Sequence, residues 1–496
     1  MLLGMALHLT AAVRQNVTPR IYRGPPIFPR PKDAKFSADS FAFDDKTVIV
    51  IGKSRLDLVA GNVVAREIQA RGGLRPTITR ERLIGRYVIA LGEPDSLQWL
   101  KREDAAHIPA NNEGYWLKID PKSAHRPAVI VAGRTPQSTL YGAQTLCQLI
   151  RKEKGVSALG ATVRDYPSLA WRGAHLFLGE KALHFHKKLI ANVLARFKMN
   201  RLVLECEQVK WHALGKVAPE WGMSKRDLGK ELRYARAFGL EPVPLVSSIS
   251  HMKWLLTSGP FKDLREDPDS PLNISPGDPR TYKILFSIYK EVLQAFRPDA
   301  LHIGADEVLL TARYPYRSAS KFANFQDAYT AQVTRLHDYL KARGVRTMMW
   351  ADPLFPPGKK ADPAKYPTAE AAESLRKRLP KDMQLVDWHY NPGGETWRLH
   401  LLELAGFHSI VGAIWLNPEA AHAYARELTD RGHAGLLQTT WVGYQSQEKN
   451  IHTYPDTFAA FIVAADEAWN GGTIPADRLA YRPRDVLEKA YALPMP

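Results

Sequence analysis

From Trp171 onward the chain repeats one theme: a short apolar run, then a longer stretch with helical spacing. The runs are Trp171–Leu178, Arg201–Cys206, Glu241–Val246, Ala300–Gly304, Arg346–Ala351, Gln384–Trp388, Ser409–Ile414 and Gly435–Thr440. Between them lie segments of 3.6-residue periodicity, among them His186–Phe197, Lys225–Phe238, Thr281–Phe296 and Ala328–Arg343. Thr457–Trp469 supplies the eighth helix. Eight strands alternating with helices over roughly 300 residues fit a (β/α)8 barrel better than an open doubly wound sheet. In such a barrel the functional groups stand at the C-terminal ends of the strands, where the βα loops converge.

A chain of 496 residues exceeds what one core usually serves. Residues 41–160 read as a smaller accessory α/β domain ahead of a barrel spanning 165–475. Its strands are Thr47–Ile51, Arg86–Leu91, Tyr115–Ile119 and Ala128–Ala132, with helices over Leu56–Ala70 and Thr139–Ile150. The turn Gly52-Lys53-Ser54 lacks the glycine a phosphate loop needs five positions before its lysine, and reads as structural. Residues 1–40 form a basic, proline-rich arm carrying Arg20, Arg23, Arg30 and Lys32, expected to lie solvated and loosely packed; 476–496 reads as a tail.

The net charge of +17 favours acidic partners. No zinc-finger, RNA-binding or helix-turn-helix signature accompanies it, so no nucleic-acid partner is expected. No apolar run approaches the ~18 residues of a membrane span. The opening MLLGMALHLTAA, with no basic residue ahead of it, reads either as a degenerate export signal or simply as the first residues; a periplasmic or secreted location is favoured over a cytoplasmic one. Cys147 and Cys206 sit in apolar segments and read as buried hydrophobes, with neither metal spacing nor a disulfide framework. No cofactor or metal is expected.

The strand ends carry a consistent inventory. Glu205 and Glu207 follow the second strand, His251 the third, and Asp306-Glu307 the fourth. Trp350 and Asp352 follow the fifth, Asp387, Trp388, His389 and Tyr390 the sixth, Trp415 and Asn417 the seventh, Trp441 and Tyr444 the eighth. Carboxylates and tryptophans together suit a pyranose: its C–H faces stack on indole while acids bind hydroxyls and deliver protons. A single carboxylate at a strand end is more often a helix cap, and a lone tryptophan is normally core, as Trp171, Trp211 and Trp469 are expected to be. Neither HExxH nor a comparable metal motif appears.

The segment Pro271–Val308 resembles the family 20 glycoside hydrolases, the β-N-acetylhexosaminidases. That family ends its fourth barrel strand with H-x-G-G-D-E, which stands here as His302-Ile303-Gly304-Ala305-Asp306-Glu307. Arg172-Gly173, Lys198-Met199-Asn200, His251, Glu113-Gly114-Tyr115 and Tyr141-Gly142-Ala143-Gln144-Thr145-Leu146 are similar to further family motifs, so the resemblance covers roughly residues 45 to 475. It implies a substrate-assisted mechanism in which the sugar's 2-acetamido oxygen attacks the anomeric carbon. Glu307 would be the general acid/base and Asp306 the group that polarises the acetamide. Two adjacent acids are also expected to push one pKa upward, as a general acid requires.

The sugar-gripping shell departs from the family. L-D-x-x-R after the first strand becomes Leu176-Phe177-Leu178-Gly179-Glu180, placing Glu180 where an arginine belongs. H-x-H-x-x-D becomes Val203-Leu204-Glu205-Cys206-Glu207-Gln208, Y-x-D becomes Trp415-Leu416-Asn417, and W-G-E becomes Trp441-Val442-Gly443. The substrate-binding set is therefore read as His251, Glu180, Glu205, Glu207, Trp350, Asp352, Trp388, Tyr390, Trp415, Asn417 and Trp441. A carbohydrate is the expected partner. Two alternatives stand beside the hexosaminidase-like reading. One is a barrel glycosidase acting on a sugar without the N-acetyl group, with Glu205 or Glu207 as second carboxylate; the other is a non-catalytic glycan-binding barrel.

Overall fold

The computed structural model describes residues 24–495 except 82–86, 98–99, 101, 124–126, 309–320, 357–367, 392–395, 443–444, 474 and 476–478. The opening stretch with Arg20 and Arg23, and also Gly443 and Tyr444, lie outside the described residues.

The first domain is a mixed eight-stranded sheet: β1 (Asp33–Ala42), β2 (Thr47–Ile51), β3 (Thr77–Thr79), β4 (Tyr87–Gly92), β5 (Tyr115–Ile119), β6 (Val129–Gly133), β7 (Ile150–Lys152) and β8 (Val156–Asp165). The order is β1-β8-β5-β6-β4-β2-β3, with β7 paired to β8. Helices Arg55–Ala70 and Pro136–Leu149 pack together beneath it. Ser54 accepts the Asp57 N–H and Asp57 in turn accepts the Ser54 N–H, so the phosphate-loop look-alike is a capping box.

Two boundaries differ from those expected. Residues 33–40 are not arm: β1 pairs antiparallel with β8 from Asp33↔Arg164 to Ala42↔Ser157, so the sheet begins before residue 41. Nor is the described part of the arm solvated. Ile27 and Phe28 are buried, and Arg30 donates to Asp466 through both backbone and guanidinium. Apolar side chains and a matched charge outweigh the proline-rich composition that suggested loose coil. At the other end the expected tail contains a helix, Pro483–Tyr491, whose Leu487, Ala490 and Tyr491 are buried against the preceding helix.

The second domain is a closed parallel barrel of β9 (Trp171–Phe177), β10 (Arg201–Glu205), β11 (Glu241–Leu245), β12 (Ala300–His302), β13 (Arg346–Trp350), β14 (Gln384–Trp388), β15 (Ser409–Ile414) and β16 (Gly435–Gln438), with β16 pairing back to β9. Side chains alternate in and out along each strand. Trp171, Val203, Val243, Leu245, Met348, Val386, Val411 and Leu437 fill the interior. Continuing the same parity toward the C-terminal ends selects Glu205, Ser247, Trp350, Trp388, Tyr390 and Trp441, so the period of two that packs the core also delivers the site. No helix among the described residues is long and apolar enough to cross a membrane.

The domains are locked together by a buried ionic network. Arg172, 1% exposed, donates to both oxygens of Glu113 at 2.8 and 2.9 Å, to the Tyr141 hydroxyl, and to the carbonyls of Leu169, Ala170 and Lys198. Asn200 donates to Glu113 and to the Ala170 carbonyl, while Lys198 reaches the Tyr115 hydroxyl at 2.9 Å and Asp165 at 3.2 Å. Several motifs that carry the family resemblance thus meet here, away from the cavity described next.

Candidate active site

A cavity of 820 Å³ opens at the C-terminal end of the barrel. Its lining includes Asp306, Glu307, Glu205, Glu207, His251, Trp350, Trp388, Tyr390 and Trp441, nine of the thirteen candidates from sequence.

The acids stand on an unusual piece of backbone. After β12 the chain enters the left-handed region at Gly304 (φ 72°), Ala305 (φ 79°) and Glu307 (φ 44°). A left-handed conformation costs a non-glycine residue about 1–2 kcal/mol, so the turn must be held from outside. Tyr329 donates to the Ala305 carbonyl at 2.9 Å, Ser250 donates to the Asp306 carbonyl, and the Glu307 N–H donates to Asp352 Oδ2 at 2.9 Å. Gly304 tolerates no larger residue easily, since a Cβ there would stand 3.1 Å from Ser247 Cα.

The electrostatics divide the carboxyls. His251 Nε2 lies 3.4 Å from Asp306 Oδ2 and 3.7 Å from Glu307 Oε2. Asp306 raises the His251 pKa to about 9, against the opposing effect of burial. Burial pushes Asp306 upward, but the His251 charge and hydrogen bond prevail and hold it below its ordinary value. The upward shifts fall on other acids. Glu205 rises to about 8 through burial and then Asp306, Glu207 to about 8 through burial and then Glu205, and Asp352 to about 8 through burial and then Asp306. The repulsion expected of two sequence neighbours thus acts between residues on different strands.

Each of the Glu205 and Glu207 carboxyls acts electrostatically on the other. Glu207 Oε1 accepts the Ser247 N–H at 2.7 Å, and Glu205 Oε1 lies 3.4 Å from His175 Nε2. His175 Nδ1 accepts the Thr440 N–H, so its neutral ring carries the proton on Nε2, facing Glu205. Burial lowers the His175 pKa to about 3, keeping that ring neutral. The walls are aromatic: Trp388 stacks on Tyr390 with centroids 5.1 Å apart, Trp350 lies 6.1 Å from Trp441, and the Trp441 indole N–H donates to the Tyr390 hydroxyl at 2.9 Å.

Four candidates do not line the cavity. Glu180 is exposed on the rim, where its backbone N–H bonds the Trp221 carbonyl; β9 ends at Phe177 and the Leu178-Gly179 turn carries the next residue outward. Asp352 is fully buried behind the wall, where it accepts both the Glu307 N–H and, at 3.2 Å, the Trp388 indole N–H. Trp415 meets Tyr390 edge-on at 5.9 Å and backs it. Asn417 caps helix Pro418–Asp430 and donates to the Tyr390 carbonyl, a strand-end polar residue acting as a helix cap. Trp211 and Trp469 are core, as expected, and Trp171 fills the barrel interior.

Sequence reasoning missed Trp221, Trp254 and Lys253, which join the lining from the loops after β10 and β11. They lie well beyond the strand ends, where no periodicity applies. Among the described residues no cluster of three or more His, Cys, Asp and Glu is arranged to hold a metal ion.

The family models decide the lineage. Residues 24–166 match glycosyl hydrolase family 20, domain 2, and residues 256–387 match the glycosyl hydrolase family 20 catalytic domain. The chain belongs to glycosyl hydrolase family 20. This family 20 chain is 28% identical over 260 residues to a lacto-N-biosidase of Bifidobacterium bifidum, covering 49% of this chain and 22% of that protein. It is 28% identical over 200 residues to a β-hexosaminidase of Porphyromonas gingivalis, covering 38% of this chain and 23% of that protein. The chain thus spans less than a quarter of the length of these two curated relatives. Its fold matches the N-acetyl-β-hexosaminidase of Streptomyces plicatus with a TM-score of 0.70 at 18% identity, over 94% of this chain and 95% of that one. The exo-β-N-acetylglucosaminidase of Vibrio harveyi, solved with N-acetylglucosamine, matches with a TM-score of 0.68 at 15% identity, over 93% and 75% of the two chains.

Proposed function

We propose that this family 20 chain is a glycoside hydrolase that removes β-linked N-acetylhexosamine-type sugars with retention, the substrate's own acetamido group serving as nucleophile. The observation that carries the reading is the pairing of His251 with Asp306 beside Glu307, inside an indole-walled cavity. Asp306, held ionised, is suited to orient the acetamide and to balance the positive oxazolinium that forms when its oxygen attacks C1. As the C1–O bond breaks, Glu307 gives its proton to the leaving oxygen. Water then attacks C1, the bond from C1 to the acetamido oxygen breaks to restore the acetamide, and Glu307 takes back a proton from that water. Family membership and relatives named as hexosaminidases support the same reaction class.

The alternative with Glu205 or Glu207 as protein nucleophile is weakened by their environment. Both are pushed up to about 8 and so carry protons at neutral pH, and a protonated carboxyl is a poor nucleophile. A glycan-binding barrel without catalysis would have little reason to hold Glu307 on strained backbone beside a second acid.

The test is Glu307→Gln assayed on two leaving groups. Hydrolysis of unactivated glycosides should fall roughly a hundredfold to ten-thousandfold, and that of activated aryl glycosides much less. A thiazoline mimic of the cyclic intermediate should inhibit strongly. Equal damage to both substrate types, or inversion at C1, would sink the reading.

A further inference from the structure

A second hollow, 490 Å³ in volume, adjoins the cavity at Trp221, a residue that lines both. Three barrel loops meet there. The loop after β9 donates the Glu180 N–H to the Trp221 carbonyl at 2.9 Å. Gly179 of that loop packs on the loop after β16, close enough that an added Cβ would stand 3.6 Å from Gln445 Cα. Trp221 itself belongs to the loop after β10.

The chemistry of this hollow differs from that of the cavity. Four carboxyls line the cavity and none lines the hollow. Gln445 and Gln447 bring amide side chains that make no hydrogen bond among the described residues, each offering a donor and an acceptor at the spacing of neighbouring sugar hydroxyls. Tyr454 is 45% exposed, and Trp221 is half-buried with no ring partner among the described residues. Flat rings beside unengaged amides form a surface that a neutral sugar can cover, with C–H faces on the rings and hydroxyls on the amides.

We propose that this hollow is a saccharide subsite, holding a neutral sugar unit of an extended substrate on the far side of Trp221 from the acids. It rests on the glycosidase reading above. It makes the substrate an oligosaccharide rather than a single capped sugar.

The test measures binding of β-1,4-linked N-acetylglucosamine oligomers of one to four units by calorimetry. The protein is Glu307→Gln, which limits turnover, alone and combined with Tyr454→Ala or Gln447→Ala. Affinity should rise at least tenfold with length. Tyr454→Ala should weaken the longest oligomer about threefold to tenfold and leave the monosaccharide unchanged. In an otherwise native chain Tyr454→Ala should also leave hydrolysis of an aryl monoglycoside unchanged. A flat length dependence, an equal loss for monomer and tetramer, or no loss at all would overturn the subsite. If the native chain hydrolyses nothing but the length gradient and its loss are seen, the subsite stands and the catalytic reading fails.

Discussion

The junction between the domains and the cavity at the barrel mouth use similar residues in opposite ways. At the junction Arg172, Lys198, Glu113 and Asp165 are buried, and every charge meets a partner or several. In the cavity His251 is shared between two acids, while Glu205 and Glu207 face each other and relieve their repulsion by retaining a proton. The first arrangement spends its charge on cohesion. The second holds titratable groups facing an open cavity, available to something that enters. The sequence keeps the family pattern at the junction; in the cavity it keeps His251, Asp306 and Glu307 but departs at Glu205, Glu207 and Trp441, which fits a fixed scaffold carrying an altered pocket.

Breaking the junction should have the largest effect. Arg172→Met leaves Glu113 without its cation, and stability to denaturant should fall by about 3 kcal/mol or more. The KM of the remaining folded enzyme should stay near that of the native chain. Adding Glu113→Gln should recover part of the loss. A single-variant loss below about 1 kcal/mol would show that the network contributes little.

The cavity should reveal itself through pH. In the folded protein Glu205, Glu207 and Asp352 hold protons to about pH 8, while exposed carboxyls release theirs near 4. Their contribution is full below the unfolded pKa and is lost as pH rises through the folded one. His251, raised to about 9, acts in the same direction at higher pH. The buried His175 and His302, lowered to about 3, contribute stability above pH 6.5 and lose it below. Between pH 6.5 and 8.5 the acids and His251 therefore dominate, and Tm should fall by a few degrees. Glu207→Gln should flatten that slope; an unchanged slope would mean that Glu207 is ionised in the fold.

The smallest effects separate wall from rim. Trp441→Ala should raise KM about tenfold through lost stacking, and Glu180→Ala should change it less than about twofold. Reversal of that order would return Glu180 to the site.

What the sequence revealed follows from which forces are periodic. All eight barrel strands were readable because a strand buried on both faces reads as a short unbroken apolar run, while the helices between them repeat every third or fourth residue. The strand-end rule found Trp350, Trp388, Tyr390 and Trp441 because the side chains that point inward along the strands continue inward at their C-terminal ends. It also brought in Glu180 and Asn417, which stand near strand ends yet turn outward or cap a helix, because parity stops informing once the strand stops. Trp221 sits in a loop and Trp254 in the short helix Lys253–Leu256, both beyond the reach of strand periodicity. β1 was hidden by a composition typical of coil, although its partner β8 lies more than a hundred residues away.

The left-handed turn at Gly304–Glu307 has a consequence of its own. Its three supports come from far along the chain: Tyr329 is 24 positions from Ala305, Asp352 is 45 from Glu307, and Ser250 is 56 from Asp306. No local preference of Ala305 or Glu307 favours their shape. The acids therefore have no geometry as a peptide and acquire it as a loan from three other segments. Their placement belongs to long-range assembly, among the last relationships a folding chain can complete.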